Sequence, residues 1–419
     1  MKIRKSLIVG TWMTMLVSVG LAILLIVWQI WPYLTTPFTA PWRIWPTSGR
    51  VKSEVYNERS LPIAAAHALI VRSDTGDVSV HGADVSAISY SFRNVAWGSS
   101  AENAAARLDR VQLDVSQSGP TVEFNIKAIN DMGFMVIGRS PYTMLVITVP
   151  HQMAVNVIGR LGDVALSDTI GTATLLADAG QVTARHVEGK VSLTASLGNV
   201  IADNVRGELI EATTSSGSVR ASDIHSLGLL SLRTNLGEVV LNRGTANSLV
   251  MQADSGRVDV SNSTVDQTAK ISCNLGELQI NNVAAQRYEL STDSGSIHAD
   301  GVLGVLEAHA SLGEIHITHA DVSQLTLSTA SGSVFYAGKL GVGPHRASTN
   351  LGSVQLQLPS NIALNVDLAA SLGSVHSALP VTVVDSEPSS HLRGTVNNGG
   401  PSLLMRADTG DVALERLTE

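Results

Sequence analysis

The chain has 419 residues, of which 36 are glycine, only 4% are aromatic and one, Cys273, is cysteine. So few rings argue against a deep globular core and for thin layers of Val, Leu, Ile and Ala, and a lone thiol excludes an intrachain disulfide, a zinc-thiolate cluster or a CxxC redox centre. Residues 1–52 hold six basic residues and no acid, while the remainder carries 22 basic against 36 acidic residues, net −14; a domain of that sign is repelled by phosphate backbones and anionic lipid, which argues against nucleic acid as a partner.

Residues 1–6 read as a short cytoplasmic N-terminus. From Leu7 to Trp31 the chain runs 25 residues without a charge, enough to cross ~30 Å of hydrocarbon at ~1.5 Å per residue. Lys2, Arg4 and Lys5 precede the span, so the positive-inside rule keeps the N-terminus in the cytoplasm, and Trp28, Trp31 and Tyr33 mark the outer interface. The apolar stretch is long for a cleaved signal peptide and no clean small-x-small site follows it. The span is therefore read as a signal-anchor helix in the plasma (inner) membrane, with the C-terminal domain periplasmic or extracellular. Residues 32–60, with Pro37, Pro41 and Pro46, read as an extended stalk.

Residues 61–160 begin with a repeat at Gly76 (DTGDV), then give a short helix at 100–108 and strands near 111–115, 122–126 and 144–149. That is the pattern of a β-rich cap closing the open end of a stack. Residues 161–378 carry the main signal: a glycine, one polar residue, then Val, Ile or Leu, recurring from Gly162 to Gly373 at spacings of 18–21 residues. Apolar and polar residues alternate on both sides of each glycine, as in Leu230, Leu232, Thr234 and then Val239, Leu241, so two short strands flank each corner. No unit buries enough apolar area to fold alone, whereas stacking units pairs strands at ~4.8 Å and joins their cores. The predicted fold is all-β: an elongated single-chain β-solenoid (β-helix) of ~18–20-residue coils.

The residue before the glycine alternates between small (Ala179, Ser216, Ser255, Ser294, Ser331) and Leu (Leu197, Leu236, Leu275, Leu312, Leu351). With one coil per unit, large stacks on small at every rung. Asp254 and Asp293 are then separated by the uncharged Asn274, which avoids like charges at ~4.8 Å. Residues 379–419, with Pro380, Pro388 and Gly399-Gly400 ahead of a last repeat at Gly410, read as a loop or hairpin and a C-terminal capping repeat.

The ordered succession of LIVRSDTGDVSVHG, VITVPHQMAVNV before RLGDVAL, the SLGNV, SSGSV and NLGEV corners, and the closing PSLLMRADTGDVAL resembles the bacterial adhesin-domain family, Gly-centred β-solenoids related to the head-GIN auto-transporter adhesin domains. The likeness spans about Leu69 to Leu414. It implies a β-solenoid, an envelope location and an adhesive role; it brings no catalytic residue and no cofactor.

The sequence holds no GxxxxGK[ST] loop, HExxH helix, GxSxG elbow or EF-hand loop. Gly338, Gly341 and Gly343 lack the strand-to-helix setting of a nucleotide site and read as a wide corner. His298 and His316 each lie three residues after a glycine, so they point outward on neighbouring rungs; with His309 and His319 nearby they are candidate ligands for a transition metal, set against the plainer reading of a solvated polar face. Asp178, Asp254, Asp293 and Asp408 share the position two before the glycine, where calcium is one reading and hydrogen bonds to the following amides the preferred one. Cys273 reads as a small core residue. The expected function is a non-enzymatic binding, adhesion or scaffold module whose partner is an envelope protein or glycan. The alternatives are a carbohydrate-active β-helix enzyme, which needs converging carboxylates, and an accessory protein in envelope-stress signalling.

Overall fold

The computed structural model describes residues 51–62, 66–129, 142–387 and 389–417. The predicted span from Leu7 to Trp31 and the first part of the predicted stalk lie outside them. The β-structure belongs to the unit Lys52–Glu419. Among the described residues the one helix is Ala101–Leu108, and no helix is long and apolar enough to cross a membrane.

Each repeat opens a strand two residues after its glycine, and a β-branched residue stands there in nearly every coil. Val182, Val200, Val219 and Val239 are consecutive partners in one parallel ladder. The strand before the glycine stacks in a second ladder, as Leu175 on Leu193 and Leu193 on Ala212. One unit is thus one coil. Side chains alternate between core and surface along each strand, as in Val191–Leu197, where Val191, Leu193 and Ala195 are buried and the residues between them are half-buried, because successive Cβ atoms leave a strand on opposite faces. The core is a narrow column of Val, Leu, Ile and Ala, with Phe124, Tyr288 and Tyr336 as its largest fully buried rings.

The glycine corners form a stack of their own. Their φ angles lie between +123° and +159° from Gly162 onward, a region L side chains rarely enter. Stacking adds a second constraint: a Cβ on any of them would stand 1.6–2.4 Å from the carbonyl oxygen of the corner glycine in the adjacent coil. Backbone bonds run through the corner, for example Gly180 N–H to Leu197 O at 2.9 Å and Val182 N–H to Asn199 O at 2.9 Å.

A second corner falls six residues after each of the nine glycines from Gly162 to Gly313, where the sequence suggests uninterrupted strand. Asp168, His186, Asn204, Asp223, Arg243, Asn262, Asn282 and His319 take φ of +48° to +59° there, and Gly301 takes +72°. Asn, Asp and His are the non-glycine residues that best tolerate this left-handed region. The bend resets the alternation, so that Val187, Val205 and Ile224 face the core next. Each of these nine coils therefore has three straight runs and not the two expected.

The ends are threaded out of sequence order. The first repeat, Ala68–Ser73 and Asp77–Ala83, lies between the Gly162 coil and strands Thr121–Ala128 and Tyr142–Pro150, pairing on both sides. The antiparallel hairpin Val111–Ser118/Thr121–Ala128, strand Ala87–Gly98 and the helix complete this cap. Ser100 caps the helix, its hydroxyl accepting from Asn103 N–H at 3.2 Å. The last repeat is likewise internal: Ser402–Thr409 lies between His345–Leu351 and Leu364–Leu372, and the outermost layer is the coil of Gly373 with the hairpin Val381–Glu387/His391–Val396. The expectation that the closing repeat is the terminal rung is thus corrected, because its neighbour's other edge is already covered. The predicted stalk also ends early: residues 51–60 belong to strand Val51–Pro62, which pairs with Ala87–Gly98 and is pinned by Arg93 Nε on Glu54 Oε1 at 2.5 Å.

Candidate interaction surfaces

The glycine corner is held from both sides. After the glycine, a side-chain oxygen accepts from the equivalent amide of the next coil: Asp163 N–H to Asp77 Oδ1 (2.9 Å), Gln181 N–H to Asp163 Oδ1 (2.7 Å), Ser218 N–H to Asn199 Oδ1 (2.9 Å). At the far end Asp411 accepts from Ser374 N–H and its hydroxyl (2.8 and 2.7 Å), bonds that hold the Asp411 carboxyl below its usual range. Three residues before the glycine, Thr214, Thr234, Thr329 and Thr349 donate to the glycine carbonyl of the preceding coil at 2.7–3.0 Å. Cys273 takes the same place, its Sγ 3.3 Å from Gly256 O, buried as the sequence implies, with its thiol pushed up by burial.

With the backbone so fixed, the residue immediately before the glycine has nowhere to point but out. Leu161, Leu197, Leu236, Leu275, Leu312, Leu351 and Leu372 leave 51–71% of their surface in solvent. They occupy every second coil, and the rungs between them hold Ala179, Ser216, Ser255, Ser294 and Ser331. In sequence the alternation breaks between Leu351 and Leu372; in space it does not, because Thr409 pairs with both. Thr75 supplies the small rung next to Leu161. The result is a ridge of apolar knobs and small notches, repeating every two rungs, ~9.6 Å.

Carboxylates line this ridge. Two residues before the glycine, Asp74, Asp178, Asp254, Asp293 and Asp408 all fall on small rungs; one residue after it, Asp163, Glu238, Glu277 and Glu314 fall on leucine rungs. From Leu236 to Leu312 each rung carries one acid in these positions, on alternate sides, against Arg257 alone. The preferred turn-capping role of the first group is not what the structure shows at Asp254, whose Oδ1 lies 3.3 Å from the side-chain amides of Gln252 and Asn274; Asp74 accepts from the distant Ala128 N–H at 3.2 Å, and the carboxylates that accept from corner amides are Asp77, Asp163 and Asp411.

On the outward face beside this corner, His298 pairs with His316 in register. Their rings are 5.9 Å apart, and His316 stacks on Phe335 at 4.6 Å with 13° between planes. Burial, helped by the adjacent His298, holds the His316 imidazole below its ordinary range. Glu277 Oε1 lies 3.7 Å from His298 Nε2. Among the described residues no group of three or more His, Cys, Asp and Glu is placed to hold a metal ion. His309 is drawn away to Ser328 Oγ (2.8 Å) and His319 to Asp300 (2.5 Å), which with Thr318 holds the Asp300 carboxyl low.

The left-handed corner makes a polar ladder that the sequence reading missed. Arg243 grips Asp223 with two bonds of 2.7 and 2.6 Å, and Asn282 donates to Asn262 at 3.0 Å. Near its start an open depression of about 370 Å³ is lined by His151, Asp168, His186 and Arg206 among others, with His186 Nδ1 3.3 Å from Asp168 Oδ1. Along the chain the signal is mixed: Asn, Asp or Gly stands six residues after some corner glycines (Asp168, Asn204, Asp223, Asn262, Asn282, Gly301) and His or Arg after others (His186, Arg243, His319).

The Toastrack family, DUF4097, matches the chain twice, over residues 77–301 and 227–415. That is the stretch on which the adhesin-domain resemblance rests. No curated protein matches the sequence. Among solved structures the chain is similar to a candidate cell adhesion protein from Clostridium sporogenes (9% identity, 86% of this chain and 100% of that one, TM-score 0.21). It is also similar to candidate adhesins from Parabacteroides distasonis (11%, 73% and 93%, 0.27) and Bacteroides fragilis (12%, 86% and 97%, 0.21).

Proposed function

Because this chain belongs to the Toastrack family, DUF4097, whose stacked coils here repeat the same outward columns along a rigid frame, we propose that it is a non-enzymatic adhesion or binding scaffold of the cell envelope. In this reading the segment from Leu7 to Trp31 anchors it in the plasma (inner) membrane, with the β-domain on the far side. The observation that carries the proposal is the leucine ridge. Side chains more than half exposed add little to the core, yet leucine returns in every second coil, and a contiguous apolar surface on a soluble domain marks an interaction site. A linear, periodic surface suits an extended macromolecule better than a small substrate.

Two measurements test this. Protease added to intact spheroplasts is expected to remove the β-domain while leaving a membrane-held N-terminal fragment. A photo-crosslinking residue at Ser255, on the ridge, or at Gln279 or Thr326, on the outward faces, is expected to trap an envelope component in living cells. If none of the three positions yields an adduct, the binding role fails; if the domain resists external protease while a cytoplasmic control is also protected, the placement fails.

A further inference from the structure

The ridge described above fits a narrower class of partner than an adhesion scaffold requires. We infer that it docks an extended, basic polypeptide segment with a three-residue repeat, an apolar side chain filling each notch and one cation per repeat meeting a flanking carboxylate. This rests on the binding reading above and names the partner of the same surface.

Charge excludes the simplest alternative. Between Leu236 and Leu312 the acids Glu238, Asp254, Glu277, Asp293 and Glu314 stand alternately on the two sides of the ridge. Arg257 is the one cation in those columns, and its guanidinium lies 3.7 Å from Asp259. A second copy laid ridge to ridge would bring carboxylates against carboxylates, which opposes association, whereas a basic partner meets a complementary field along the stretch from Leu236 to Leu312. Only Glu238 and Glu277 in this stretch have basic side chains beside them, Arg220 at 3.4 Å and the His298 imidazole at 3.7 Å, each about half exposed and free to turn away.

Period selects the conformation. Successive leucines are two rungs apart, ~9.6 Å. A polyproline II chain advances ~9.3 Å in three residues, so over the six intervals of the ridge it slips by only ~2 Å. A helix with a seven-residue repeat advances ~10.5 Å and slips by ~5 Å, half a period, which carries its side chains from notches onto knobs. The notches are floored by Ser255, Ser294 and Ser331, small enough to admit a Leu or Pro ring from the partner. Seven half-exposed leucines offer roughly 700 Å², near the ~800 Å² per partner of a standard interface.

The test uses the full chain in mild detergent and a synthetic (Leu-Pro-Lys)6 peptide as probe, with fluorescence anisotropy as readout. Binding is expected to weaken at least about tenfold for (Leu-Pro-Glu)6 and for a heptad Leu/Lys helix. Raising the salt from about 50 mM to about 500 mM is expected to weaken it comparably, through charge screening. The triple variant Leu236→Ser, Leu275→Ser, Leu312→Ser is expected to lose the peptide by about tenfold or more; all three side chains are surface-exposed, and an unchanged circular dichroism melt verifies its fold. Glu238→Gln with Glu277→Gln and Glu314→Gln is expected to reduce both affinity and salt dependence. Equal binding by the triple Ser variant, no binding by the parent chain, or a tighter grip on the helical peptide overturns the inference. Sedimentation showing a dimer that the triple Ser variant abolishes overturns it in favour of a second copy. If the peptide fails while the crosslinking of the previous section succeeds, the occupant is wrong and the scaffold reading stands.

Discussion

His345 is a histidine in a place built for leucine. It is 2% exposed, in a ladder position where its neighbours on either side are Leu325 and Leu403. Its Nε2 lies 3.1 Å from Gly341 O, so that nitrogen carries the proton, and Nδ1 is buried with no partner. Burial holds the imidazole below its ordinary value of 6.5. The sign follows: above about pH 6.5 both folded and unfolded chains are neutral here; below it the unfolded chain takes up a proton that the folded chain refuses, so stability falls as pH falls, until the lowered folded value is reached. The slope is at most ~1.4 kcal/mol per pH unit. His345→Leu removes both the pH term and the unpartnered nitrogen, whose burial costs about 1–3 kcal/mol. Urea denaturation followed by circular dichroism is expected to show the variant at least as stable as the parent at pH 7.5, with an advantage larger by up to ~1.4 kcal/mol at pH 5.5. An advantage that does not change between the two pH values, or a variant destabilised at both, refutes this account of the site.

The corners make three further tests. Gly276→Ala places a Cβ 1.6 Å from Gly256 O at φ +140° and is expected to cost at least the ~1–3 kcal/mol of a strained backbone; Gly301→Asn, in a column that already holds Asn262 and Asn282 and where the nearest atom to a new Cβ is 3.6 Å away, is expected to be neutral or to stabilise by up to ~1 kcal/mol, and the reverse order in thermal melts would break the corner argument. Thr234→Ala loses a bond to Gly217 O at 2.9 Å and is expected to cost about 1 kcal/mol, whereas Thr292→Ala, whose buried hydroxyl has no partner, costs less; equal losses in denaturant titrations would contradict this. Cys273 is expected to resist alkylation by iodoacetamide in the folded chain and to react only on unfolding, as mass spectrometry would show.

Much of the frame was legible because glycine is informative where a stack leaves no room for Cβ. Gly162 to Gly373 set the coil length, and the uncharged Asn274 between Asp254 and Asp293 pointed to one coil per unit. What escaped were features whose signal lies across coils. The left-handed corner is occupied by Asp168, His186, Asn204 and Arg243, residues that share no single chemistry and so form no motif along the chain. The insertion of the last repeat was written in the adjacent Leu351 and Leu372, a parity error that only a third rung could mend. The ridge escaped for a different reason: alternation says that Leu236 and Ser255 stack, but only the direction of the corner decides that they face water.

The inverted order of the ends bears on how the molecule is made. Strand His345–Leu351 leaves the ribosome with one edge awaiting Ser402–Thr409, its native neighbour there. Some fifty residues, including the whole of Leu364–Leu372, are synthesised before that neighbour exists. The segment that emerges next is thus not the one that belongs beside it, and the growing stack cannot simply be wound coil by coil from its N-terminal end. In the finished stack neither the first nor the last repeat can peel away without first dislodging the layer outside it.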